Sequence, residues 1–260
     1  MIAKFFGESA RQLYGVYHRP EGRARDVGVV LCNPAPQEYR HAHWAYRKLA
    51  GMLAAEGFHA FRFDYFATGD SAGDSEAGTL DQWTADIGSA ANELRDIASL
   101  SRVSLVGIRI GAALATRASA NGLAVEDLVL WEPVVSGKAY LTELETAQST
   151  YLSRVRPPED NTRTPGELLG YPMPPAVRES VGDIDLLRDA SVAPRRVLIV
   201  TGEERIAYQQ LMERYRELGV AGSRQVVPEF MLYPGGIPAF IWVAHAIPAT
   251  ITAWLARKTM

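Results

Sequence analysis

The residues with most chemistry to offer lie in one stretch, Val103 to Ala118, which reads Val-Ser-Leu-Val-Gly-Ile-Arg-Ile-Gly-Ala-Ala-Leu-Ala-Thr-Arg-Ala. A short apolar run (Val103, Leu105, Val106) meets Gly107 and Gly111 and passes directly into an Ala-rich helical pattern. This is the strand, sharp turn and helix in which G-x-S-x-G holds a nucleophilic serine at a strained, exposed apex. Glycines are needed there because the turn is tight and the helix packs close to its neighbours. At the apex, however, stands Arg109. A guanidinium stays protonated in a protein and cannot attack a carbonyl. Its remaining chemistry is recognition. At a helix N-terminus it would form a strong receptor for a carboxylate or phosphate. Alternatively, it pairs internally with Glu132 or Glu204 and plugs the site.

The elements that must position this apex follow from the pattern along the chain. Residues 1–19 read as an opening β-hairpin around Leu13, Val16 and Tyr17. Val27–Cys32 is a continuous apolar run, as expected of a strand buried on both faces, and Asn33-Pro34-Ala35-Pro36 ends it. Residues 43–56 have helical periodicity and stop at Gly57; Phe58–Asp64 is the next strand, and Tyr65–Ser75 a loop. A helix over Trp83–Leu100 precedes the central stretch, and a strand over Asp127–Trp131 follows it. Residues 136–194 then interrupt the alternation with a polar helix (Tyr140–Tyr151), a Pro- and charge-rich link (Arg156–Pro165) and Gly170–Pro175. So long a segment between core strands is expected to be an inserted cap. The sheet resumes at Val197–Thr201, with helices over Ile206–Leu218 and Pro248–Arg257 and a last strand over Gln225–Leu232 between them. Strand–helix alternation of this kind predicts a mostly parallel, doubly wound α/β sheet. The core is then 1–135 with 195–260, and the cap is 136–194.

Composition narrows the partners. With 260 residues and 47% hydrophobic content, the chain can bury a full core. A net charge of −3 gives no reason to expect nucleic acid. No apolar run approaches a membrane span, the N-terminus lacks a secretory pattern, and the single cysteine, Cys32, suits a reducing compartment, so a cytoplasmic location is expected. Cys32 is a possible nucleophile beside the Asn33 loop, but a lone cysteine ending a buried strand is ordinarily inert. His41 and His43 are spaced like strand neighbours with no third ligand motif, so neither a metal nor another cofactor is expected. A small carbonyl-containing or anionic molecule is the expected partner.

Four pieces occur in a telling order: Val-Val-Leu-Cys-Asn-Pro-x-x-Gln-Glu-Tyr, Phe-Arg-Phe-Asp-Tyr-Phe-x-x-Gly-Asp-Ser, Gly-Ile-Arg-Ile-Gly-Ala and Leu-Val-Leu-Trp-Glu-Pro-Val-Val-x-Gly. In these the chain resembles α/β-hydrolases, and among them the exosortase-A-system-associated hydrolase-like proteins, over most of its length and most strongly from Val27 to Gly137. The resemblance implies an α/β-hydrolase fold with an inserted cap. It implies an oxyanion hole from the N–H groups of Ile110 and Ala35, and an acid after the strand ending at Thr201. Glu203 and Glu204 match that position, Glu204 better by spacing, with Glu132 a second option. A base is implied after the last strand, where His245 is the candidate despite lying close to the final helix. Asp64 and Ser71 match the structural turn of the fold. Asn33, Gln37 and Tyr39, with Glu38, His41 and His43 nearby, are expected to rim the pocket, and Tyr140, Tyr151, Tyr171 and Met173 to face it from the cap.

Two functions fit. In one, the protein is an enzyme without an acyl-enzyme: Arg109 orients an ester, thioester or other carbonyl substrate, and His245 with Glu204 or Glu132 moves protons. In the other, it is a catalytically silent fold that binds an acidic ligand or a partner as an accessory of a biosynthetic system. A histidine converging on Arg109 favours the first; an Arg109 locked by glutamate favours the second.

Overall fold

The computed structural model of the chain describes residues 1–155, 166–191, 194–228 and 245–257. The chain opens with β1 (Ile2–Phe6) and β2 (Leu13–His18), an antiparallel pair in which Phe6 lies opposite Leu13. β3 (Gly28–Cys32) is buried at every position, as its unbroken apolar run requires. α1 (Pro36–Ala55), β4 (His59–Phe63), α2 (Leu80–Ala98), β5 (Val103–Ile108), α3 (Ile110–Ala120) and β6 (Asp127–Trp131) continue the alternation. Segment 136–194 contributes α4 (Gly137–Val155), a small antiparallel pair of β7 (Glu167–Leu168) and β8 (Tyr171–Pro172), α5 (Pro175–Gly182) and α6 (Leu186–Asp189). β9 (Arg196–Thr201), α7 (Ile206–Glu217), β10 (Ala221–Val226) and α8 (Ala246–Ala256) complete the described chain.

Eight strands form one sheet in the order β1-β2-β4-β3-β5-β6-β9-β10. Every pair from β4 to β10 is parallel, and the antiparallel β1 and β2 extend the sheet at one edge. Helices cover both faces. α1 and α8 pack on one through Tyr46, Leu49, Leu53, Ile247 and Ile251; α2, α3 and α7 pack on the other through Ile87, Leu94, Leu114 and Leu211. Crossovers of this kind place α1 and α3 directly after the C-terminal ends of β3 and β5, at a switch point where ligands bind in such sheets. Among the described residues no helix is long and apolar enough to cross a membrane.

Two boundaries differ from the sequence reading for identifiable reasons. α1 starts at Pro36, not near residue 43, because Pro36 occupies the first helical position, where its missing N–H costs nothing. Its first two turns are rich in polar side chains that are nevertheless partly buried, so hydrophobic periodicity misses them. Positions 41 and 43 accordingly both lie on α1 rather than on a strand, so His41 and His43 are not strand neighbours. β10 begins earlier than expected, at Ala221, and residues 229–232 of the expected last strand lie outside the described residues, as do the link Arg156–Pro165 and the Pro234–Pro238 loop.

Candidate functional site

The apex is built as the two glycines require. A Cβ on Gly107 would lie 2.4 Å from the Gly111 carbonyl oxygen, and one on Gly111 would lie 2.2 Å from that of Cys32. Only hydrogen fits at either position, so α3 can lean directly onto β3 and β5. Tyr46 braces the turn from beneath, its hydroxyl donating to the carbonyls of Cys32 (2.8 Å) and Val106 (3.0 Å). Arg109 itself adopts φ 55° and ψ −119°. That left-handed backbone is unusual for a residue with a Cβ and persists only where surroundings fix it. Here its N–H donates to Trp131 at 3.0 Å, and its carbonyl accepts from Val134. At the end of β6, Glu132 is also left-handed, with φ 46°. Two adjacent strand tips therefore carry strained, charged, buried residues.

The Arg109 side chain is only 5% exposed. Its Nε donates to Glu38 Oε1 at 2.9 Å, and an Nη donates to Glu143 Oε1. Tyr140 lies against the guanidinium, 5.3 Å from ring centroid to Cζ, and its hydroxyl donates to the second Glu38 oxygen at 2.8 Å. The partners are thus Glu38 from the first turn of α1 and Glu143 from α4, rather than Glu132 or Glu204. Burial disfavours charge on Arg109, but Glu38 and Glu143 outweigh it and hold the guanidinium above its already high ordinary range. Burial also raises the Glu38 carboxyl, against the pull of Arg109 and the Tyr140 hydroxyl. α1 favours an acid at Glu38 because the helix N-terminus carries partial positive charge.

The remaining expected residues fall into separate settings. Ile110 opens α3 directly after Arg109, and Ala35 caps α1, so both flank the apex. Glu132 is buried below it, accepting from the Gly202 N–H and, at 3.1 Å, from the Tyr208 hydroxyl. Burial raises its carboxyl, opposed by those two hydrogen bonds and by Arg109. Glu204 is exposed and pairs with Arg224, while Glu203 pairs with Arg205 at 2.5 Å. Of the acids expected at this site, Glu132 is therefore the buried one, and its bonds go to Gly202 and Tyr208. His245 caps α8 at an exposed position, and the loop that leads to it lies outside the described residues. Cys32 is fully buried, and burial raises its thiol far above the range for a nucleophile. Asp64 and Ser71 hold a structural turn: Ser71 Oγ donates to the Asp64 carbonyl at 2.6 Å, and Asp64 Oδ2 accepts from the Asp70 N–H at 3.0 Å.

A cavity of about 340 Å³ lies beyond the C-terminal end of β3. Asn33, Pro34, Pro36 and Tyr39 form one wall, Tyr65 and the 67–75 loop another, and Tyr171 with Pro172 of β8 a third. Asn33 donates its amide to the Phe63 carbonyl, and Tyr39 donates to Asp64 Oδ1 at 2.7 Å, which fixes the wall they share. Gln37 and Met173 are buried nearby in sequence but do not line it, and Tyr151 is exposed on α4. Sequence reasoning placed Glu38 only on the rim and missed Glu143 and Tyr65. The i, i+3 spacing of Tyr140 and Glu143 on a helix was the available sign that both face one target.

The fold is that of the α/β-hydrolases. Est1E from Butyrivibrio proteoclasticus, solved with ferulic acid bound, superposes with a TM-score of 0.64 at 16% identity, over 98% of this chain and 96% of that one. A proline iminopeptidase of Mycobacterium smegmatis gives 0.65 at 12% identity, with the same coverages. An esterase of Pyrococcus furiosus gives 0.67 at 18% identity, over 98% and 88%. No protein-family model matches the chain, and no curated protein does.

Proposed function

We propose that this chain is a catalytically silent α/β-hydrolase-fold protein that binds a small ligand with a planar apolar body in the tyrosine- and proline-walled cavity. Segment 136–194 acts as its cap, and Arg109 is the latch that holds α4 down. The observation that carries this reading is the state of Arg109: at the position where the motif has its serine, the side chain is 5% exposed and bonded to two glutamates. The resemblance to exosortase-associated proteins fits an accessory role in a biosynthetic system, in the reducing compartment that a lone buried Cys32 suits. The ring-sized cavity, with Tyr65 and Tyr171 among its walls, suits an aryl group, as in the ferulic acid held by Est1E.

A second reading, an enzyme acting without an acyl intermediate, draws support from the strained backbone at Arg109 and Glu132 and from the buried Glu132 carboxyl. In it, Ile110 and Ala35 supply the oxyanion N–H groups, and Glu132 with His245 moves protons. One set of assays separates the readings. A silent binder leaves a fluorophosphonate probe and a panel of activated esters and thioesters untouched, yet binds ferulic acid in calorimetry, with affinity reduced several-fold in Tyr171→Ala. Turnover by the unmodified protein that is lost in Glu132→Gln or His245→Ala would replace the silent reading with the enzymatic one.

A further inference from the structure

A second guanidinium, half-buried on β4 at Arg62, is placed quite differently. Its Nε donates to His18 Nε2 at 3.2 Å, which makes that ring nitrogen an acceptor and the imidazole neutral. Burial and the neighbouring cations Arg62 and Arg47 hold His18 well below its ordinary range. Among the described residues Arg62 has no ion pair, and its terminal Nη groups have no hydrogen-bond partner. The nearby carboxylate, Asp64, is already committed, accepting from the Tyr39 hydroxyl, the Asp70 N–H and, at 3.5 Å, the Asn33 amide. The half-buried guanidinium is thus hydrogen-bonded only to a neutral imidazole, and Asp64 acts on it through space without a direct bond.

Arg62 opens into a cavity of about 280 Å³ between β2, β4 and α1. Tyr39, His43 and Arg47 stand at i, i+4 and i+8 on α1 and line it as one stripe, with Tyr14 of β2 opposite. Asp64 and Asp70 also line it, so the site is not a diffuse positive patch. Its donors are fixed on two strands, β2 and β4, and one helix, α1.

We propose that this cavity binds a small oxyanionic group, a carboxylate or phosphate, with the Arg62 guanidinium as its principal donor and Arg47, His43 and Tyr14 around it. The site is separate from the latch at Arg109, and it shares only the Asn33–Tyr39 wall with the cavity of the proposed function. It stands whether or not that function holds.

The test uses the full chain with inorganic phosphate and, separately, acetate, against sodium chloride at matched ionic strength. Amide chemical shifts are followed together with the melting temperature. The expected result is saturable binding of at least one oxyanion, with shifts confined to the residues around Arg62. Saturation by phosphate alone identifies a phosphoryl ligand, and saturation by both identifies a carboxylate-sized group. Arg62→Gln should weaken binding about tenfold or more, the effect of losing charge-assisted hydrogen bonds, while Arg62→Lys recovers part. If Arg62→Gln does not fold, the exposed Arg47→Ala should still weaken binding several-fold. Absence of saturation up to tens of millimolar, equal binding in the variants, or shifts falling instead at the arginine-lined groove around Arg23 and Arg257 would overturn the proposal.

Discussion

Arg109 and Arg62 are guanidiniums beside the same sheet, the first buried and the second half-buried, and they differ in what the chain sets against them. Arg109 has two carboxylates, a tyrosine ring against it and a backbone fixed on both sides. Arg62 has one neutral imidazole as its hydrogen-bond partner, with Asp64 near it but bonded elsewhere. A buried charge that the chain itself satisfies works as a fastener, joining α1 and α4 across the turn after β5. One that the chain leaves unsatisfied works as a receptor. On these proposals, the roles differ from those of the motif, in which the residue at the apex is the one that meets a ligand.

The largest expected effect comes from breaking the fastener. Arg109→Ala leaves Glu38 fully buried and bonded only to Tyr140, and should destabilise the protein by about 3–5 kcal/mol in urea unfolding. Replacing both partners, Arg109→Met with Glu38→Leu, should recover most of that loss, because no uncompensated charge then remains. A double variant no more stable than Arg109→Ala would mean that the pair is more than a fastener.

What the sequence disclosed about this contrast follows physical range. Gly107 and Gly111 declare the sharp turn because their demand is local: each must lack a Cβ where another backbone passes. The order of apolar runs declares the sheet for the same reason. Glu38 is 71 positions from Arg109, and its burial is visible only once α1 is known to start at Pro36. Glu143 sits on a helix whose sequence is polar enough to pass for a solvated one. Arg62 lies in an alternating strand, where an arginine reads as solvent-facing; its burial depends on β2 and α1 closing over it.

Acid should separate the two arginines next. Burial first, then Arg62 and Arg47, push His18 down to about 4 in the folded protein, whereas in an unfolded chain it titrates near its ordinary value of about 6.5. Between these values the unfolded chain binds the extra proton, so stability is intact above about pH 6.5 and falls as the pH drops toward 4. The loss should be on the order of 3 kcal/mol, from about 1.4 kcal/mol per unit. His18→Gln should flatten this limb of a pH-dependent unfolding series. Saturating phosphate should shrink it in the unmodified protein, since an anion beside Arg62 eases a second positive charge on His18. A limb that persists in His18→Gln would assign it to other groups.

The smallest effect compares the two carboxylates on Arg109. Glu38 is completely buried, but the Glu143 side chain is 31% exposed, so water can replace its bond to the guanidinium. Glu143→Gln should therefore cost only about 1 kcal/mol, within the range for a partly solvated charge-assisted bond, while Glu38→Gln costs clearly more. The consequence for dynamics is more telling than the stability. If Glu143 is the releasable half of the latch, its loss should speed amide hydrogen exchange along α4 while exchange in α1 and α3 stays at its original rate, because the Arg109–Glu38 bond still closes the turn. Uniform acceleration through α1, α3 and α4 would show one indivisible network, and α4 would then lift only with the unfolding of the apex itself.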